Sequence, residues 1–125
     1  MAGGLFPVDE RTPKQFRDRF RITWMEQWNQ DYVDLDVEGC IEFREKLQGE
    51  FQFGTVQGWL DCRFGKREGK PLVEFSWQGA SDNDDACGRG WAVLDGDALE
   101  GRIFIHASDD SAFKATRKKT RNRRT

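Results

Sequence analysis

Apolar side chains recur at every second position along most of this chain, a period that builds strands with one buried face. Leu60, Cys62 and Phe64 alternate with Trp59, Asp61 and Arg63, and Val73, Phe75 and Trp77 oppose Leu72, Glu74 and Ser76. The same alternation covers Trp24, Glu26 and Trp28, then Ile41 and Phe43, Phe51 and Phe53, Trp91 and Val93, Leu99 to Ile105, and Phe113 and Ala115, which gives about eight strands. Glu68-Gly69 and Asp95-Gly96 place a glycine where a hairpin turn needs positive φ. Between Phe53 and Leu60 the apolar face passes from odd to even positions, so Gly54 or Gly58 must host a bulge or bend. The expected fold is all-β: a single antiparallel up-and-down β-barrel, with a β-sandwich as the alternative.

A chain of 125 residues is one domain, and the core it builds must rest on rings. Leu, Ile, Val and Phe together number only 27, whereas Phe, Trp and Tyr number 16. Residues 1–11 show no periodicity and read as a loose arm. Thr12, Pro13 and Gln15 spell a capping box, which predicts a short N-terminal helix laying Phe16 and Phe20 against a barrel domain over 12–116. No secretory signal pattern opens the chain and no run approaches the roughly 18 apolar residues of a membrane helix, so a cytoplasmic location and no membrane span are expected. Cys40, Cys62 and Cys87 match neither metal-ligand nor disulfide spacing and are expected as thiols.

The net charge of −2 conceals an asymmetry. Lys114, Arg117, Lys118, Lys119, Arg121, Arg123 and Arg124 crowd the C-terminus without one acid, while the preceding residues hold 13 bases against 22 acids. A basic, disordered tail over 117–125 is expected. It suits nucleic acid, an anionic membrane or an acidic partner, or it folds back on its own acidic body or serves solubility alone; no aromatic residue interleaves it to stack on bases.

Candidate chemistry is sparse. His106 precedes Asp109, Asp110 and Ser111, which invites a Ser-His-Asp reading, but these residues sit too close in sequence to surround a substrate and read more simply as a turn. Asp82-Asn83-Asp84-Asp85 offers oxygen ligands to a hard cation, yet the sixth position is Cys87 and the twelfth is Val93 where the known loop needs Gly and Glu. Gly88-Arg89-Gly90 lacks the third glycine of a dinucleotide loop. No cofactor, metal or catalytic set is expected. Trp24, Trp28, Trp59, Trp77 and Trp91 are the better lead, since barrel closure either gathers them around a ligand cavity or packs them as core. Trp59 lies opposite the apolar face, where Arg63, Arg102 and His106 join it as candidate lining of a partner surface. The expected function is a non-enzymatic binding module for a small apolar ligand or a protein partner. A nucleic-acid accessory protein anchored by its tail is the alternative, and a hydrolase using His106 the third reading.

The runs Phe53-Gly54-Thr55-Val56-Gln57-Gly58-Trp59-Leu60-Asp61-Cys62-Arg63-Phe64, Val73-Glu74-Phe75-Ser76-Trp77-Gln78-Gly79, Gly88-Arg89-Gly90-Trp91-Ala92 and Gly101-Arg102-Ile103-Phe104-Ile105-His106 together resemble a family of small uncharacterised bacterial proteins over residues 20–116. In architecture the chain is also similar to calycin-type, lipocalin-like barrels. That resemblance implies a short helix at Thr12–Phe20, a first strand carrying Trp24 and a basic residue, Arg117, covering that indole; Ile22 stands where the lipocalin signature has glycine.

Overall fold

The structure is a computed structural model that describes residues 11–118. Eight strands, β1 (Arg19–Met25), β2 (Cys40–Arg44), β3 (Gln48–Phe53), β4 (Val56–Arg67), β5 (Lys70–Ser81), β6 (Asp84–Asp95), β7 (Ala98–Ile105) and β8 (Asp110–Arg117), follow one another around a closed barrel. Each pairs antiparallel with its sequence neighbour, and β8 returns to β1 through Phe20 opposite Arg117, Ile22 opposite Ala115 and Met25 opposite Phe113. Closure excludes the sandwich, which would leave two open sheets.

The turns explain why the chain reverses where it does. Two-residue loops need positive φ, and Glu68-Gly69 and Asp82-Asn83 supply it at both positions, Gly54 and Gly96 at one. The parity change between Phe53 and Leu60 is therefore a full reversal at Gly54-Thr55, with Phe53 facing Val56 across it. The Asp82–Asp85 cluster is a hairpin turn in the same way, and among the described residues no three His, Cys, Asp or Glu side chains converge as metal ligands would.

Apolar side chains point inward: Phe20, Phe51, Phe53, Val73, Ile103 and Phe113 are all fully buried. Each such side chain removed from water is worth about 1.5–3 kcal/mol, which lets rings make up for scarce Leu and Ile. Inward glycines make room for them. A Cβ on Gly58 would lie 2.7 Å from Trp77 and 2.8 Å from Phe51, and one on Gly90 would lie 2.4 Å from Phe75.

The expected N-terminal helix is absent. Only Lys14–Phe16 turn, as one 3-10 turn, and Phe20 already belongs to β1. The reason is the fate of Thr12: its hydroxyl donates to the Arg44 carbonyl and accepts the Leu47 N–H at 3.1 Å, so it fastens the segment to the β2–β3 turn and caps nothing. Phe16 still closes this end of the barrel, 5.6 Å from Phe43 and 5.0 Å from Phe64. A second departure lies after β1, which bulges between Ile22 and Trp24 and ends at Met25. Trp28 is therefore not on a strand. It precedes a one-turn helix, α1 (Gln30–Val33), capped by the Asn29 side chain accepting the Tyr32 N–H at 3.0 Å. Val33 is buried and its carbonyl accepts the Gly54 N–H, so α1 covers the opposite end of the barrel. Among the described residues no helix is long and apolar enough to cross a membrane.

Candidate functional site: a groove on the outer wall of β4 to β7

The barrel divides the tryptophans between its two faces. Trp77 points inward at 3% exposure, edge-on to Phe51 at 4.9 Å, and its Nε1 donates to the Phe104 carbonyl at 3.1 Å. Trp28 packs at the α1 end, 5.1 Å from Phe53 and 6.0 Å from Tyr32. Trp24, Trp59 and Trp91 lie on the outer wall, Trp24 44% exposed with the Lys114 ammonium 5.5 Å over its ring, and Trp59 54% exposed. The five indoles do not surround one chamber, because the interior is filled by the phenyl rings and Trp77.

The outer wall carries the concavity instead. Strand register sets three rows of outward side chains across it: Trp59, Gln78 and Cys87; Asp61, Ser76, Arg89 and Phe104; and Arg63, Glu74, Trp91 and Arg102. Neighbours in such rows stand about 4.5–5.5 Å apart at Cβ, close enough to act together on one ligand. Short Ser76 and Cys87 between longer neighbours leave a depression of about 810 Å³. Trp59 and Asp61 wall one side, Arg89, Phe104 and His106 the other, and Trp77 and Gly88 lie beneath. A second hollow of about 410 Å³ shares Asp61, Ser76, Arg89 and Phe104 and reaches Arg63 and Trp91.

Of the residues singled out from sequence, the structure brings Trp59, Trp91, Arg63 and His106 to this wall, with Trp77 as its floor. Arg102 is in the third row but is spent on structure, joining Glu26 at 3.3 Å and Asp110 by a second bridge. Arg63 holds Asp61 at 2.8 Å. Arg89, by contrast, makes no ion pair among the described residues; its guanidinium lies 5.8 Å over Phe104. Arg67 likewise covers Trp91 at 4.4 Å. Sequence reasoning missed Ser76, Gln78, Cys87, Arg89 and Phe104. The registers of β5 on β6 and of β6 on β7 place them, but the Asp82-Asn83 turn that sets the first has no glycine to mark it as a hairpin.

Ser111 is buried on the inner face, accepting the Gln27 N–H at 3.2 Å and donating to the Ala112 carbonyl, which removes it from the Ser-His-Asp reading. His106 is exposed at the β7–β8 turn, its N–H donated to the Cys87 carbonyl at 2.7 Å. Burial, reinforced by Asp61, pushes the Cys62 thiol up to about 12, and burial also raises the Cys40 thiol. Cys87 alone of the three is exposed.

The basic residues near the C-terminus are partly built into the barrel. β8 runs through Arg117, whose guanidinium bonds Asp97 at 2.8 Å, Asp18 at 2.9 Å and the Gln15 carbonyl at 3.1 Å. Burial alone would lower the Arg117 pKa, but the Asp97 and Asp18 bonds outweigh it and the net shift is upward. Arg117 covers Phe20, 4.9 Å from its ring, and not Trp24 as the calycin resemblance implies. The Lys118 N–H donates to the Arg19 carbonyl and its ammonium reaches Glu38 at 2.7 Å. Lys119, Arg121, Arg123 and Arg124 lie outside the described residues. No family model, curated protein or solved structure matches the chain.

Proposed function

We propose that this protein is a non-enzymatic binding module that engages a protein partner through the outer wall of β4 to β7. The observation that carries this reading is Trp59, an indole more than half exposed at the lip of an 810 Å³ groove. A large ring held on a strand loses little entropy when covered, which is why exposed indoles beside grooves serve as binding anchors. Phe104 and Trp91 extend the apolar strip, the Ser76 hydroxyl and Gln78 amide offer it hydrogen bonds, and Arg89 gives it a cation that makes no ion pair among the described residues. A packed interior leaves the small-apolar-ligand reading without a chamber, so the partner reading is preferred. Selecting short random peptides on the immobilised protein tests it. Binders should be lost on Trp59→Ser and kept on Trp24→Ser; binders retained equally by both variants would refute the assignment.

A further inference from the structure

A closed barrel has no sheet edge in principle, yet this one keeps a short stretch of edge, because β4 and its partner β5 are 12 residues long while β3 has 6. The β3–β4 ladder stops at Gln48 opposite Asp61, and the last bond on that side runs from the Cys62 N–H to the Leu47 carbonyl at 2.9 Å. Past it, Phe64 to Arg67 are paired with β5 alone. Antiparallel ladders direct alternate residues to alternate sides, so the main-chain groups of Phe64 and Lys66 point the same way as those of Cys62. Among the described residues nothing accepts or donates there. The facing side of the hairpin is finished differently: β5 ends its pairing with β6 at Leu72, next to Pro71, which has no N–H to offer. A Cβ on Gly65 would meet nothing within 4 Å, so the outer face of the strand is uncrowded beside this edge.

The charges beside this edge are one-sided. Lys66 and Arg67 on the strand and Lys46 on the adjoining β2–β3 turn are exposed and make no ion pair among the described residues. The nearby acids are Glu45, already bridged to Arg17, and Glu68 at the hairpin tip. Lysines on an edge deter a second copy of the same edge by like-charge repulsion, and the same lysines favour a strand that brings carboxylates. We propose that Phe64–Arg67 of β4 is a strand-addition site for an extended, acidic peptide segment of a partner protein. Main-chain bonds to Phe64 and Lys66 would hold the segment, and Lys46 and Lys66 would select its charge. This site is separate from the Trp59 groove and does not depend on it.

Amide hydrogen exchange on the full chain tests the proposal, with an acetylated Val-Glu-Val-Glu-Val peptide as probe and its Val-Lys-Val-Lys-Val counterpart as control. Without peptide, the Phe64 and Lys66 amides should exchange rapidly; the acidic peptide should slow both by about tenfold, and the basic one should not. Lys66→Pro removes one of the two N–H groups without touching the bonds to β5, and should abolish the effect. Lys66→Ala should keep the protection at low salt but weaken it. Slow exchange before any peptide is added would mean that the chain itself or a second copy occupies the edge. That result, or rapid exchange with either peptide, would overturn the proposal.

Discussion

Trp77 and Trp59 lie on adjacent strands and opposite faces, and truncating each in turn measures how the barrel uses its indoles. Trp77 is buried to 3%, packed on Phe51, with Gly58 and Gly88 too close to it for any Cβ. Trp77→Ala leaves a cavity that inward glycines cannot fill, at a cost of about 3–5 kcal/mol. It also strips the Phe104 carbonyl of its indole donor, adding roughly 1 kcal/mol. Trp77→Phe keeps most of the ring and should cost about 1–3 kcal/mol, from the lost bond and the smaller residual void. Trp59→Ala, on the solvent side, should stay within about 0.5 kcal/mol. Urea unfolding followed by circular dichroism reads all three, with the slope held constant so that only the midpoint moves. Because a domain of this size is held by only about 5–15 kcal/mol, the Trp77→Ala midpoint should fall to a small fraction of the wild-type urea concentration. Equal costs for Trp77→Ala and Trp59→Ala would refute the division into inner and outer indoles.

Three further outcomes are expected. Gly58→Val should destabilise by at least about 1–3 kcal/mol through overpacking against Trp77 and Phe51, whereas Gly65→Val, with open space around it, should cost under about 1 kcal/mol; calorimetry distinguishes the two. A thiol reagent at neutral pH should label one cysteine per native chain, Cys87, and all three after denaturation, because Cys40 and Cys62 are buried with raised thiol pKa values; rapid labelling of three in the native state would contradict the burial. The Lys118 hydrogen bond holds Glu38 below the ordinary glutamate value of about 4.3, so this pair's stabilisation is present at neutral pH and is lost as pH falls through the depressed value. Carbon-detected titration should show the Glu38 midpoint rising in Lys118→Ala, and an unmoved midpoint would be the contrary result.

The barrel was legible because hairpin turns and alternation are local. Glu68-Gly69 set β4 against β5, whereas the parity change after Phe53 implied a bulge or bend at Gly54 or Gly58 and is in fact a hairpin reversal at Gly54-Thr55. What escaped was decided by distant partners. Thr12 has the residues of a capping box around it, but the main chain at Arg44 and Leu47 competes for its hydroxyl and wins. Trp24 and Trp28 are spaced like strand neighbours, yet a bulge turns Trp24 outward and the strand ends at Met25; no residue type in that stretch announces either event. Asn29 did carry a signal for α1, an N-cap three residues ahead of Tyr32, although one turn is too short for periodicity to register. The groove was half legible. Outward Trp59, Arg63 and His106 follow from parity alone, while Ser76, Cys87 and Phe104 join them only once β5 and β6 are in register.

Recognition is proposed to take place on the outside of a filled barrel. Its most direct measurement is a set of amide and indole chemical-shift maps of the full chain titrated with small aromatic and aliphatic fragments. The account predicts shifts confined to Trp59, Ser76, Cys87, Arg89 and Phe104, with Phe51, Val73 and Phe113 unmoved. Shifts centred on those interior residues would show a chamber inside the barrel and contradict it.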